Sequence, residues 1–359
     1  MSHYEVAIIG GGQAGLAMGH HLARAGVRFT ILEAGAAPAA AWRSRWDSLR
    51  LFTPVRYDSL PGLPFPGDPD HYPSRDEVAA YLTEYARHFG LPVELDSPVR
   101  RLRALGGGGF EVQLDDRTLA ADQVVVATGP FQVPVTPALA DGLDPAITQL
   151  HSSAYRNPAQ LPDGPALVVG GGNTGYQIAE ELAAGREVHL AIGSRQMPLP
   201  QQIAGRDLFR FLEASGLMRR TVTSRLGRRM KDRETLIGSS PRGARRQGIR
   251  LHGRATAAAG TTVTFADGGS VVPAAVIWAT GFRLDHAWID APGAVDERGD
   301  VVHERGVTPV RGLYLLGMPW QHTRGSALLG WVKDDAAHVA AQIARVAGAA
   351  PAASEALAR

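Results

Sequence analysis

Short, uninterrupted apolar runs that end in glycine punctuate the chain and predict buried parallel strands. Glu5 to Ile9 runs straight into Gly10, Gly11 and Gly12. Gln13 to Ala25 then reads as a helix stopped by Gly26, and Phe29 to Leu32 as a second strand ending at Glu33. The same order returns later. Ala166 to Val169 meets Gly170, Gly171 and Gly172, a helix over Thr174 to Ala184 is stopped by Gly185, and Val188 to Ile192 follows as a strand. After a long interval each unit is followed by a hairpin-like segment, turning at Asp115-Asp116 or Asp267-Gly268, and by a buried strand, Val124 to Ala127 or Val276 to Ala279. Both strands end in Ala-Thr-Gly. The glycine turns lie 160 residues apart and the pairs Thr128-Gly129 and Thr280-Gly281 lie 152 apart. Order and spacing agree without a strict repeat, which predicts an α/β protein with two related, Rossmann-like nucleotide-binding domains.

Between the first unit and its closing strand, Ser74 and Glu77 form a capping box for a helix with Val78, Leu82, Tyr85 and Phe89 at helical spacing, closed by Gly90. Its expected role is packing. Trp42 to Tyr72, rich in proline and aromatics, reads as an ordered excursion rather than a linker, because disordered stretches are poor in aromatics. The alanine-rich tail from Gly348 to Arg359 is expected to fray.

Composition narrows the function classes. A chain of 359 residues, 45% apolar and 20% charged, has room for about two domains of ~100–200 residues. Lysine plus arginine, 37, nearly balances aspartate plus glutamate, 35; the resulting +2 argues against a protein that wraps a polyanion. The absence of cysteine excludes disulfide frameworks, thiolate metal sites, cysteine nucleophiles and an internal dithiol relay. No apolar run approaches the ~20 residues of a membrane span, and Met1 to Ile9 lacks the features of a secretion signal, so a soluble cytoplasmic protein is the expectation.

A strand that meets a helix through Gly-x-Gly-x-x-Gly lets a pyrophosphate approach the backbone, and the helix N-terminus offers it free N–H groups. Gly10, Gly12 and Gly15 fit this spacing, as do Gly170, Gly172 and Gly175. Glu33, 18 residues after Gly15, would accept ribose hydroxyls and repel a 2′-phosphate, which suits the adenosine of FAD or NAD. The equivalent region of the second unit reads Gly193, Ser194, Arg195, without a carboxylate. A guanidinium and a hydroxyl there suit the 2′-phosphate of NADPH, with a preference over NADH of roughly tenfold to hundredfold. Two such sites, only one suited to a 2′-phosphate, point to a flavin that takes hydride from NADPH. Without cysteine the electrons must pass to oxygen, a small acceptor or a partner.

At this point the sequence resembles the flavin-dependent monooxygenases with two dinucleotide-binding domains, especially short bacterial relatives of flavin-containing and Baeyer–Villiger enzymes. The resemblance spans nearly the whole chain. It rests on GGGQAG at Gly10 to Gly15, WRSRWDSLRLFTP at Trp42 to Pro54, LPGLPFPGDPDHYP at Leu60 to Pro73, HSSAY at His151 to Tyr155, GGGNTG at Gly170 to Gly175, the two ATG strands, and GLYLLGMPWQHTRGSALLGW at Gly312 to Trp331. It implies an NADPH-binding domain at residues 158–283 inserted in an FAD-binding domain made of residues 1–157 and 284–359. By this resemblance Gly10, Gly12, Gln13, Gly15 and Glu33 hold FAD, Trp42, Arg43, Leu49 and Thr53 line it or its ring edge, and Thr128 and Gly129 approach its diphosphate. Gly170, Gly172, Asn173, Thr174, Gly175, Ser194 and Arg195 fall to NADPH, and Thr280 and Gly281 to the domain junction. A third strand should end at Gly317 beside the flavin, followed by a helix whose N-terminus near Gly325 and Ser326 faces the ring.

The family fingerprint Phe-x-Gly-x-x-x-His, with an aromatic four residues further on, is half present. His151 and Tyr155 match, whereas Pro145 and Ile147 replace the phenylalanine and glycine. His151, a hinge or NADPH contact or a structural residue, and Phe52, where classical members carry an asparagine, are the two candidates for a catalytic role. The implied chemistry is hydride transfer to flavin, O2 activation as a C4a (hydro)peroxide, and oxygenation of sulfur, nitrogen or a ketone in a small molecule.

Two other readings compete. One is a flavoprotein reductase that passes electrons to a protein or a small acceptor. The other is a nucleic-acid binder using Arg219 to Arg254, with twelve basic residues against Asp232 and Glu234, but that stretch lacks interleaved aromatics and the overall charge is near zero. No HExxH, GxSxG or P-loop lysine occurs, Asp115-Asp116 and Asp334-Asp335 read as solvated, and no metal site is expected. The oligomeric state is left open, a homodimer included.

Overall fold

In the computed structural model, which describes residues 2–231 and 235–347, each repeated unit founds a sheet. β1 (His3–Ile9) and β2 (Phe29–Leu32) are parallel neighbours linked by α1 (Gln13–Arg24), and β3 (Thr118–Val126) lies parallel to β1 on its other side. All of β2 and the last four residues of β1 are buried, as an apolar run covered on both faces requires. Antiparallel strands Phe110–Gln113 and Arg101–Ala104 extend the sheet beyond β3. The hairpin turns at Asp115-Asp116, whose exposed carboxylates pair with Arg100 and Arg117. α2 (Arg75–His88) forms with its capping box complete: Ser74 Oγ accepts from the Glu77 amide at 3.3 Å and Glu77 Oε2 from the Ser74 amide at 2.8 Å.

The second sheet contains β4 (Thr148–His151), β5 (Ala166–Val169), β6 (Val188–Ala191), β7 (Arg250–His252) and β8 (Ala275–Trp278), all parallel, in the order β7-β6-β5-β8-β4. α3 (Asn173–Leu182) follows β5 as α1 follows β1, and α4 (Leu208–Ala214) lies in the long excursion between β6 and β7. β4 precedes the division expected at residues 157 and 158, yet it pairs with this sheet. The chain passes between the sheets on two short antiparallel strands, Val133–Pro134 and Phe282–Arg283. It then returns to the first sheet, first at Ile289–Asp290 beside Arg101–Ala104 and then as β9 (Leu313–Leu315), parallel to β3.

Two expectations about the C-terminal segment are corrected. No helix starts at Gly325: residues Arg324–Ala327 form a single 3-10 turn, Leu328 is extended, and α5 (Val332–Ala347) begins later. Between them the chain turns through residues 329–331, where Gly330 passes so close to the Tyr57 carbonyl that a Cβ would overlap it. Asp335 is not solvated. It is 3% exposed and accepts from Arg305 Nε at 3.1 Å, because the stripe Val332, Ala336, Val339 and Ile343 turns that part of α5 into the core. The tail from Gly348 lies outside the described residues. Among the described residues no helix is long and apolar enough to cross a membrane.

Candidate cofactor and active site

The first crevice is built from backbone. Gly10 has φ +114°, a region that disfavours side chains, and a Cβ on Gly15 would overlap the Gly10 carbonyl, so α1 packs directly on the turn. Gly12 faces open space and α1 has no side-chain cap, which leaves its first N–H groups free for an anion. Glu33 is fixed at the lip, with Oε2 accepting from the Gly11 amide and Oε1 from the Gly35 amide, each at 2.8 Å. Each oxygen keeps a second acceptor position for a ribose hydroxyl. This cradle fits the adenosine diphosphate half of a dinucleotide.

The second crevice repeats the architecture with different chemistry. Gly170 has φ +127°, Gly175 abuts the Gly170 carbonyl, and α3 also starts from a glycine, Gly172, without a side-chain cap. Asn173 anchors a crossing segment: its Nδ2 donates to the Thr235 carbonyl at 3.2 Å and its Oδ1 accepts from the Ile237 amide at 2.9 Å. Thr174 is half-buried beside it. Gly10 donates to Leu32 and Gly170 to Ala191, so the residue that corresponds to Glu33 is Ile192, one before the glycine expected there. An alkyl group stands where the first crevice has a carboxylate. Ser194 and Arg195 are exposed just beyond it.

Two residues at this crevice escaped sequence reasoning. Arg254 Nη2 donates to the Gly193 carbonyl at 2.8 Å and its guanidinium covers that glycine, while the Gln196 amide lies against Gly171. Arg254 follows β7, the strand beside β6. Only that pairing brings it to the loop, and in sequence it belongs to an undifferentiated basic stretch.

The segments between the crevices are tied together. Trp42 Nε1 donates to Gln13 Oε1 at 2.9 Å, and Gln13 Nε2 reaches the Ala327 carbonyl at 3.4 Å, so the excursion, the start of α1 and the C-terminal turn meet. Gly317, at φ +86°, passes close to Ala14. Ser326 Oγ accepts from the His322 and Thr323 amides, each at 3.0 Å, and so holds the turn itself. Thr128 and Gly129 accept from Gln132, Thr280 donates to the Val135 carbonyl, and Gly281 accepts from the Val135 amide at 3.0 Å. His151 sits at this junction: Nδ1 contacts Ser153 Oγ at 2.9 Å, Nε2 meets the Gly281 carbonyl at 3.0 Å, and the ring packs edge-on against Phe282. Burial lowers its pKa, with the Arg45 charge adding to the effect against the Gly281 carbonyl.

Three residues expected at the flavin have protein partners of their own. Arg43 is exposed and donates to Thr83 on α2, Leu49 is buried in the core of the second domain, and Thr53 donates to Asp58 Oδ1 at 2.7 Å. Asp58 itself is fully buried, its Oδ2 without a hydrogen-bond partner among the described residues, and burial pushes its pKa up to about 7. Phe52 stacks on Phe209 of α4 at 5.9 Å, and its carbonyl accepts from Gln201 Nε2 at 2.7 Å. Phe209 in turn neighbours Tyr57 and Trp331, which makes an aromatic wall between the domains.

Fold and crevices define a flavoprotein oxidoreductase of the monooxygenase type, with two dinucleotide-binding domains. Residues 7–202 match the pyridine nucleotide-disulphide oxidoreductase family, and the chain belongs to that family. An uncharacterized CzcO-like oxidoreductase of Geobacillus kaustophilus is 42% identical over 93% of this chain and 97% of its own. Among solved structures, a flavin-containing monooxygenase from Stenotrophomonas maltophilia is similar with a TM-score of 0.81 and 31% identity, covering 97% of this chain and 100% of that one. Indole-3-pyruvate monooxygenase YUCCA1 of rice is 34% identical, over 56% of this chain and 51% of that protein.

Proposed function

We propose that the chain binds FAD in the first crevice and NADPH in the second, and that it uses them with O2 to oxygenate a small molecule at sulfur, nitrogen or a ketone. The observation that carries this reading is the chemical difference between two otherwise matching cradles: Glu33 at one lip, and Ile192 with Arg195 and Arg254 at the other. A carboxylate repels a 2′-phosphate and two guanidiniums attract it. When bound, the flavin would supply hydride acceptance and reaction with oxygen. The chain's own residues bind and orient: the α1 and α3 N-termini take the diphosphates, and Trp42 with Gln13 fixes the edge of the first crevice. Phe52, Tyr57, Phe209 and Trp331 supply an apolar wall that keeps water out. The lack of any cysteine rules out the dithiol chemistry in the family's name.

The purified protein should show the flavin band near about 450 nm. Anaerobic NADPH should bleach it faster than NADH, and aeration with a panel of thioethers, amines and ketones should give product in proportion to NADPH used. Hydrogen peroxide as the sole product with every candidate would overturn the oxygenation reading. Faster reduction of a protein acceptor than of oxygen would favour a reductase.

A further inference from the structure

The region between the crevices holds a guanidinium with no counter-ion among the described residues. Arg324 opens the 3-10 turn after Thr323 and is half-buried. Its Nη1 donates to the Thr235 hydroxyl at 3.3 Å, and it makes no ion pair among the described residues. Burial alone lowers its pKa from the usual arginine range. Two carboxylates beside the adjoining aromatic wall are committed elsewhere. Asp207 accepts from the Tyr72 hydroxyl at 2.6 Å and the Phe209 amide at 2.7 Å, and Glu213 accepts from the Trp331 indole at 2.5 Å. A desolvated charge with only a neutral hydroxyl for company is unfavourable unless a ligand completes it.

Its position says which ligand. On one side, the Ala327 carbonyl reaches Gln13 at the start of α1; on the other, the Thr235 carbonyl accepts from Asn173 at the start of α3. Arg324 therefore stands between the residues that follow the two glycine turns. Each turn already offers a diphosphate an uncapped helix N-terminus, so neither diphosphate needs the guanidinium. Beside it Trp331 packs against Gly325, and Tyr57 stacks on Trp331 at 5.4 Å. A cation at the edge of an aromatic wall matches a flat apolar body that carries one carboxylate.

We propose that Arg324 is the carboxylate-binding residue of the substrate site, and that the molecule oxygenated is a small aromatic carboxylic acid. The assignment rests on the flavoenzyme reading above, but binding alone tests it. The experiment is calorimetric titration of the purified full chain, carrying its flavin and without turnover, with phenylacetate, with its uncharged isostere phenylacetamide, and with NADP+. Wild type should bind the acid at least about tenfold more tightly than the amide. R324Q should lose that preference while keeping its flavin and its NADP+ affinity, and R324K should recover part of it.

Equal affinity of wild type for acid and amide overturns the proposal, and this arm needs no variant to fold. Weakened NADP+ binding or lost flavin in R324Q, with phenylacetate binding retained, assigns the guanidinium to a dinucleotide and also overturns it. A colourless protein that still prefers the acid counts for the anion site and against the flavoenzyme reading, so the two failures are distinguishable.

Discussion

Arg195 lies in the loop after β6 and Arg254 reaches the same loop from the end of β7, so each can be tested as a single side chain. On the proposed reading, removal of either guanidinium should raise the NADPH KM by roughly tenfold to hundredfold and the NADH KM by far less, because NADH has no 2′-phosphate for a charge-assisted bond. Steady-state kinetics of R195A and R254A with both coenzymes checks this; parallel changes for the two would mean that neither arginine reads the phosphate. Asp58 makes a second residue-scale prediction, in stability. Its carboxyl is raised from an ordinary 3.8 to about 7, by burial first and then by the Asp207 charge, against the opposing bond from Thr53. The native state thus binds this proton more tightly than the unfolded chain. The contribution is fully present below about pH 4 and is lost as pH rises toward 7, by about 1.4 kcal/mol for each unit crossed. D58N keeps an acceptor for Thr53 but has no proton to lose. Its advantage over wild type in urea unfolding should grow by roughly 2–3 kcal/mol from pH 5 to pH 8. A constant difference across that range would show that Asp58 is ionised in both states.

At the scale of elements, the two glycine turns make separable demands. Gly15 and Gly175 each place their helix against the carbonyl of the first glycine in its turn. G175A should therefore displace the start of α3 and raise the NADPH KM by about tenfold or more while the flavin stays bound, whereas G15A should give flavin-poor protein. Flavin content by absorbance and NADPH titration separate the two outcomes, and loss of flavin in G175A would contradict the assignment. These turns were legible in the sequence because their glycine spacing and the contacts of Gly15 with Gly10 and of Gly175 with Gly170 lie inside one strand-turn-helix unit, although Ala127 and Ala279 of the closing strands also crowd Gly10 and Gly170. Ile192 was not: counting from Gly175 led to Gly193, Ser194 and Arg195, and only the strand register shows that the alkyl side chain takes the place of Glu33. The start of α5 escaped for a similar reason. Gly325 and Ser326 suit the opening of a helix locally, but the chain breaks at the extended Leu328 and turns past Tyr57, far away in sequence, whose carbonyl crowds Gly330, before α5 begins. Arg43 illustrates the same limit, since its partner Thr83 lies on a helix that the local pattern does not connect to it.

Over the whole molecule, the excursion after Trp42 joins domains that the repeat pattern treats as separate. Trp46 and Leu49 are buried in the core of the second domain, and the Asp47 amide donates to the Arg156 carbonyl at 2.7 Å. The two domains were readable from their repeated strands. Their boundary was less so, because β4 is half-buried, carries no apolar run, and declares its sheet only by pairing with β8. At the crossing, the Arg45 guanidinium lies 4.2 Å from the Phe131 ring centre and 5.6 Å from that of Phe282, one aromatic next to each connecting strand. Burial and the nearby Arg156 lower its pKa to about 10, which leaves it cationic at neutral pH. A cation shared between two rings is worth about 0.5–2 kcal/mol. If this clasp holds the domains in the pose that brings nicotinamide to flavin, R45A should slow anaerobic flavin reduction at saturating NADPH by roughly two- to thirtyfold, with flavin content unchanged. R45K should restore part of the rate, since it returns the charge without the planar face. Stopped-flow absorbance at the flavin band reads all three proteins, and an R45A rate equal to wild type would place the control of domain pose on the opposite side, where Gln201 meets the Phe52 carbonyl and Val222 meets that of His322.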